Sequence, residues 1–455
     1  MIGYGSGVIR QRMAAACCVA LVVGCSAPWS RPAAQHRQKP RPTPAPVGAQ
    51  FLLDGSPATN AVRVTPRSHL RIAFTAQVPP AAITVTLGGQ ALPASSLGWS
   101  PDLLSAEIPL SRLTPAPPVR LGLAASAPVA SPGQLEVTML PMVPANATTG
   151  VQPGFQPQTP LEVVVENSGP ARPQAGLQDA DLVYEYLSEY STTRMTAIYF
   201  AHIPSLVGPV RSCRMVNTYL GYAYAGMTMC TGVSDGTGGW IVGTTQGSRA
   251  VANVMEPFDK GGHFFRVGFR AIPHNAYTSG DRAERLRTEA PLPPGDYAVD
   301  PPHDDVAGGV PADPPDVPLH GVSYAYDGGS QQYLRSDHGV PFVDQDTGQV
   351  VHAKNVVLLH VPFHDAGWVE DDNGGAHSVL YDMLGSGPAE IYSDGQVVHA
   401  TWHMGAAGQA YFDNHTPVWF TDESGAVVVL NTGLTWIHVL GNGQERCPVS
   451  PAGCG

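Results

Sequence analysis

Leu161–Arg214 reads LEVVVENSGPARPQAGLQDADLVYEYLSEYSTTRMTAIYFAHIPSLVGPVRSCR, and its hydrophobic pattern decides the fold class. Leu161–Val165 is a short apolar run rich in β-branched residues, closed by Glu166-Asn167 and the turn formers Gly169-Pro170. Such a run, ended by turn residues, predicts a buried strand. Leu182–Leu187 and Thr193–Phe200 follow across a short polar connection, carrying Val183, Tyr184 and Tyr186 on one arm and Ile198, Tyr199 and Phe200 on the other. β-Branched and aromatic residues at this spacing predict a hairpin. Glu185 and Arg194 lie on its two arms and are expected to pair across it.

The stretch ends in a basic turn, Gly208-Pro209-Val210-Arg211-Ser212-Cys213-Arg214, which leads into VNTYLGYAYAGM. The latter predicts a helix with Ser212 as its N-cap. Two arginines in a first turn oppose the helix dipole, which favours acidic groups there. An anion held by both guanidiniums and the free amide N–H groups would resolve the conflict. Pairing of Arg211 and Arg214 with Asp179, Asp181 or Glu185 would resolve it too, and would make both arginines structural. The candidate binding set is Arg172, Arg194, Arg211 and Arg214, with Asn167 and Glu185 ordering them and His274 nearby.

These residues carry a family resemblance. VVVENSGPARPQAGLQDADLVYEY, Thr193-Arg194, GPVRSCR and Pro273-His274-Asn275-Ala276-Tyr277-Thr278 are similar to the YerB-type bacterial lipoprotein family. The likeness resumes at Lys354-Asn355-Val356, Gly385-Ser386-Gly387, Asp394-Gly395, Thr401-Trp402 and Gly433-Leu434-Thr435-Trp436-Ile437, so it spans about residues 150–440 in two blocks. The resemblance implies a lipid-anchored, two-part extracytoplasmic protein and brings no reaction, substrate or catalytic residue with it. Where the family generally has a basic residue after Trp402, this chain has His403-Met404.

Composition narrows the rest. The chain has 455 residues, 43% of them hydrophobic and only 14% charged, with 50 glycines and 44 prolines. That balance favours a β- and loop-rich protein of about three domains over a helical bundle. A net charge of −12 without a lysine–arginine cluster argues against nucleic acid as a partner. Arg10 and Arg12 precede the apolar run Met13–Gly24, which is too short to span a bilayer and reads as a signal segment. Val22-Val23-Gly24-Cys25 matches a lipobox, so cleavage before Cys25 and lipidation of Cys25 are expected, placing the protein on the extracytoplasmic face of the membrane. Cys213, Cys230, Cys447 and Cys454 would then sit in an oxidising compartment, where nearness in sequence favours Cys213–Cys230 and Cys447–Cys454.

The expected architecture is α+β and mainly β: an immunoglobulin-like β-sandwich followed by a two-part α+β body with antiparallel sheets. A signal segment (1–24) and a proline-rich tether (25–50) precede the sandwich (51–142), in which Leu70-Ile72-Phe74, Ile83-Val85-Leu87, Val119-Leu121-Leu123 and Leu135-Val137-Met139 alternate. A first α+β domain (150–290) with a short helix at Asp281–Thr288, a solvated proline-rich connector (291–320), a β-rich domain (321–445) and a tail (446–455) complete it. The β-rich domain should hold strands at Asn355–His360, Ala389–Tyr392, Gln396–Trp402, Val427–Leu430 and Thr435–Val439.

Two functions fit. One is a binding protein that holds an anionic cell-envelope glycan, or a protein partner, through the arginine site. The other is an envelope hydrolase using Ser234 or carboxylates near the arginines. Gly232-Val233-Ser234-Asp235-Gly236 has the form of a nucleophile elbow, although Gly-Thr-Gly-Gly is a poor start for the helix that must follow. His274 would be the base, with Asp281 or Asp304 orienting it; a structural role for His274 stands beside that reading. No cofactor or metal is expected. Asp300, Asp304 and Asp305 with His303, and Asp365, Glu370, Asp371 and Asp372, read as solvated acidic segments without the spacing of a calcium loop.

Overall fold

Clean alternation in the N-terminal part produces strands where the pattern places them. In this computed structural model the described residues are 45–441, apart from 116, 127, 147–158, 190–191, 234–253, 256–261, 290–294, 300–302, 305, 307, 318–319 and 372–374. The signal segment, Cys25, most of the tether, Ser234 and the Cys447–Cys454 pair lie outside them. Ala49–Leu53, Ser56–Ala58, Leu70–Phe74, Gly98–Trp99 and Ser105–Glu107 make one five-stranded sheet. Ala61–Val64, Ile83–Leu87, Gln90–Leu92, Val119–Ala125 and Gln134–Met139 make a second. Ile72, Phe74 and Ala106 from the first meet Val85, Leu121 and Val137 from the second in one buried core, so the pair is a two-layer sandwich. Gly88 and Gly89 turn the chain between Leu87 and Gln90 with φ of 58° and 82°, the left-handed values a two-residue hairpin loop requires.

The rest is built on a 14-stranded sheet. Leu161–Glu166 is buried at every position, pairing antiparallel with Thr192–Tyr199 and parallel with Met227–Cys230. Both faces of this sheet are covered: Leu182, Tyr184, Tyr186 and Ile198 feed one core, while Val163, Val165, Val183 and Ala197 feed another. The expected hairpin forms between Leu182–Glu189 and Thr192–Tyr199. Asn355–His360, Gly385–Ser393 and Gln396–Met404 continue the sheet with antiparallel pairing. The strand Thr435–Leu440 lies between the two halves, parallel to Leu182–Glu189 on one side and to Asn355–His360 on the other.

Helix Met215–Ala223 covers the first core with Val216 and Leu220. Helix Gly280–Glu289 covers the second with Ala283 and Leu286. A smaller sheet built on the hairpin Val322–Asp327/Gln332–Asp337 adds Tyr324 and Tyr333 to that second core. The protein is thus α+β and mainly β, and Cys213 and Cys230 are joined by a disulfide.

Three expectations need correction. Residues 291–320 are more than a solvated connector: Ala298–Val299, Val310–Pro311 and Asp316–Val317 each pair with a strand, and His320 is buried. Of the acidic residues after His364, Asp365, Glu370 and Asp371 lie on the strand Phe363–Asp371, which pairs with Ala376–Tyr381; Asp372 lies outside the described residues. Helix Met215–Ala223 begins after Arg214, not after Ser212. The amide of Cys213 is bonded to the Gly232 carbonyl, which keeps that residue outside the helix. Asn217 Oδ1 accepts the Arg214 N–H at 2.7 Å and does the capping.

Candidate functional site

The hairpin sends its charged residues to opposite faces of the sheet. Glu185 stands opposite Met195, and Arg194 opposite Tyr186, so Glu185 and Arg194 are one register step apart and cannot pair. Glu185, fully buried, faces the smaller sheet instead. Its carboxylate accepts from Asn167 Nδ2, Thr193 Oγ1, Arg335 Nη2 and Trp436 Nε1 at 2.9–3.3 Å. Burial alone would raise its pKa, yet the Arg335 guanidinium, the two neighbouring imidazoles and the Thr193 hydroxyl hold it at about 2. Arg335 is itself fully buried, lying over Phe342 at 3.9 Å and Trp436 at 4.8 Å from the ring centroids. Arg172 joins this region from the rim: its Nε donates to Asn167 Oδ1 and its Nη1 pairs with Asp337 at 2.5 Å.

On the other face, Arg194 and Arg214 converge on Glu189 at 3.0 and 2.8 Å, and Arg214 also pairs with Glu370 at 3.2 Å. Burial opposes the charged form of Glu189, but the two guanidiniums outweigh it and lower its pKa. Arg194 falls to about 10 through burial and the charge of Arg214. The partners expected from sequence, Asp179, Asp181 and Glu185, are not the ones used; Asp181 instead accepts the amides of Asn146 and Phe200. The two carboxylates that meet the dipole conflict come from the end of the hairpin and from the Phe363–Asp371 strand.

A third group opens to solvent at the end of Leu161–Glu166. Glu166 is buried, accepting from Ser168 Oγ at 2.7 Å and from His274 Nδ1 at 2.9 Å. A carboxylate only accepts, so Nδ1 carries the hydrogen and a neutral His274 holds its lone pair on Nε2. Arg211, 30% exposed, lies with Nε 3.6 Å from Glu166 Oε2, an ion pair without a hydrogen bond. Arg270 crosses the neighbouring turn and donates to the carbonyls of Pro170, Arg172 and Pro173. A cavity of about 310 Å³ adjoins this turn, lined by Arg172, Gln174, Asp337, Val340 and Phe342.

His274 therefore has an orienting carboxylate, but it is Glu166. Asp281 starts the helix Gly280–Glu289, and Asp304 pairs with Lys354 at 2.5 Å. The Ser168 hydroxyl is committed to Glu166, so it is no free nucleophile.

Glu185, His320 and His438 place one ligand atom each within 4.8 Å of one another, all buried. The donor set does not fit a cation. Both Glu185 oxygens are filled by N–H and O–H donors, and Arg335 adds a fixed positive charge beside them. The imidazoles bond each other through their Nδ1 atoms at 2.9 Å, and Tyr324 bonds His438 Nε2. Burial and the charge of Arg335 lower both imidazoles despite nearby Glu185, His320 to about 4. The group is a neutral polar hub.

Of the candidate set, Asn167, Arg172 and Glu185 form one hydrogen-bonded group, Arg194 and Arg214 meet Glu189 on the other face, and Arg211 and His274 meet Glu166; Arg335, Trp436 and His438, which surround Glu185, were not candidates. Arg335 lies 150 positions from Glu185, and no local spacing signals that contact.

Two family models match the chain: the N-terminal domain of "Protein of unknown function (DUF3048)" at residues 148–291 and its C-terminal domain at 316–437. The chain is 30% identical to the YerB lipoprotein of Bacillus subtilis over 253 residues, covering 53% of this chain and 72% of that one. It is also similar to the crystal structure of YerB from Bacillus subtilis, with a TM-score of 0.49 and 26% identity over 63% of this chain and 91% of that one.

Proposed function

Because the chain belongs to the DUF3048 family of YerB-type lipoproteins, we propose that it is held on the outer face of the membrane by lipid on Cys25 and binds an anionic envelope glycan at the edge formed by Arg211, His274 and Arg172. The observation that carries this reading is the state of Arg211. Arg194 and Arg214 are buried and neutralised by Glu189 and Glu370, whereas Arg211 is partly exposed and only loosely paired. A carboxylate or phosphate on a polymer can displace water from that guanidinium and accept a charge-assisted hydrogen bond. Among the described residues no helix is long and apolar enough to cross a membrane.

Titration of the purified chain with fractionated anionic envelope glycans tests this at low and moderate salt. Arg211→Ala should weaken binding about tenfold or more, the value of one charge-assisted contact, with an unchanged Tm. Glycan affinity that is equal in Arg211→Ala and wild type would sink the site.

A second reading rests on the Glu166–His274 pair, which is the orienting half of a hydrolase. It makes the chain an envelope hydrolase, with His274 Nε2 as base and Ser234 as nucleophile. Product analysis on the titrated samples, with His274→Gln beside wild type, decides it. New reducing ends or acids from wild type alone are expected; unchanged polymer removes it.

A further inference from the structure

Phe269, Ile272 and Val340 are the most exposed large apolar side chains among the described residues, at 63%, 71% and 64%. They belong to two separate turns. Phe269 and Ile272 lie between the short strands Phe265–Arg266 and Ala276–Tyr277, and Val340 opens the two-residue strand Val340–Pro341, just past the turn at 338–339 that follows Gln332–Asp337. Both turns flank the segment 170–173. Arg270, next to Phe269, donates to the carbonyls of Pro170, Arg172 and Pro173, and Arg172 and Pro173 line the cavity whose other wall includes Val340.

The polar groups around these tips include the guanidiniums of Arg172, Arg211 and Arg270 and the imidazole of His338. Arg172 and Arg211 are about a third exposed, and His338 is 73% exposed. Arg270 is bonded to neutral oxygens only, those of the three carbonyls and of Gln345. Of the carboxylates here, Glu166 and Asp337 are buried and paired, and Asp344 is buried and accepts the Gly176 amide; the exposed Asp346 is bonded to Ser205. In a chain of net charge −12, this face turns guanidiniums outward beside its apolar tips and keeps their partner carboxylates, Glu166 and Asp337, buried.

We infer that the Phe269–Ile272 and Val340 turns dock on the surface of an anionic phospholipid bilayer, with the tips entering the headgroup layer and the guanidiniums meeting lipid phosphates. Isolated apolar tips on separate turns suit a deformable interface, where each side chain buries itself without a shaped groove. Basic groups beside them gain from the negative potential of anionic lipid. The 21 residues from Cys25 to Ala45 span at most roughly 70 Å of chain, a leash that keeps the folded part near a membrane holding its lipid. Docking would hold the Arg211–His274 edge close to the headgroups; it does not depend on which ligand that edge takes.

Hydrogen exchange on the full chain, purified from membranes, tests the inference without any glycan. The chain is placed in detergent, in phosphatidylcholine nanodiscs and in nanodiscs with one-third phosphatidylglycerol. Exchange at residues 265–273 and 338–341 should slow severalfold in the phosphatidylglycerol discs alone, and the slowing should vanish in 0.5 M salt. Phe269→Ser with Ile272→Ser should abolish the slowing at 338–341, where the sequence is unaltered, while exchange in Thr435–Leu440 stays at the wild-type rate. Equal exchange at both turns in all three environments would overturn the inference and leave the tips to a protein partner. Slowing that survives the double substitution would overturn it as well.

Discussion

Glu162 and Glu185 are both fully buried glutamates of the same sheet, and their surroundings drive them apart. Among the described residues, Glu162 has one hydroxyl partner, Thr228, and no cation; burial pushes its pKa up to about 8. Its folded form therefore keeps a proton that the unfolded chain releases near 4.5. The stability this proton gives is complete below pH 4.5 and is lost as pH rises through about 8, by up to roughly 5 kcal/mol. Urea midpoints at pH 5.5 and 8.5 should fall further for wild type than for Glu162→Gln; identical pH dependence would mean that Glu162 ionises without cost. Glu185 has the opposite sign. Held at about 2, it stabilises the fold above pH 4.5 and loses that contribution as pH falls towards 2. Replacing it by Gln at pH 7 leaves the buried Arg335 with only the looser Asp337 carboxylate, 3.6 Å away, and should cost about 3 kcal/mol, read from the urea midpoint. A loss below 1 kcal/mol would contradict the hub. The sequence singles out Glu185 but points to Arg194 as its partner, because a buried ion pair between strands 150 residues apart leaves no trace in local spacing.

The basic turn and its helix show what an element adds to such residues. Sequence placed the helix correctly within a few positions, because its apolar residues recur with helical period. It missed the start, because Cys213 is held by the disulfide and by Gly232, and this anchoring is set by chain 17 residues away. Asn217 accordingly does two jobs: its Oδ1 caps the Arg214 amide, and its Nδ2 donates to Tyr186 and Thr196 beneath the helix. Asn217→Ala removes the cap and leaves buried hydroxyls with fewer partners, so a loss of about 2–3 kcal/mol is expected in thermal or urea unfolding. Arg214→Ala should cost a similar amount, since Glu189 and Glu370 stay behind in a buried site with Arg194 as the remaining guanidinium. Arg211→Ala, with a looser and more exposed pair, should stay within about 1 kcal/mol. If Arg211→Ala destabilised as strongly as Arg214→Ala, its reading as an open binding residue would lose its footing.

At the scale of the molecule, the two family blocks meet in one sheet. Thr435–Leu440 was legible as a strand from its composition, but a run apolar on both faces does not say which neighbours it takes. Its actual neighbours, Leu182–Glu189 and Asn355–His360, come one from each block, with Val439 set between Tyr186 and Leu359. Val439 is fully buried and contributes to the core that Tyr186, Leu359 and Trp402 share. A charge there cannot be paired or hydrated, so Val439→Asp should weaken both flanks together. Hydrogen exchange on the variant at mild urea is the measurement. If the blocks form one folding unit, protection drops in 182–189 and in 355–360 to the same extent, while the sandwich strand Val119–Ala125, which shares a different core, keeps its own. If only 355–360 opens, the first block is stable without its parallel neighbour and the shared sheet is a docking of two independent domains.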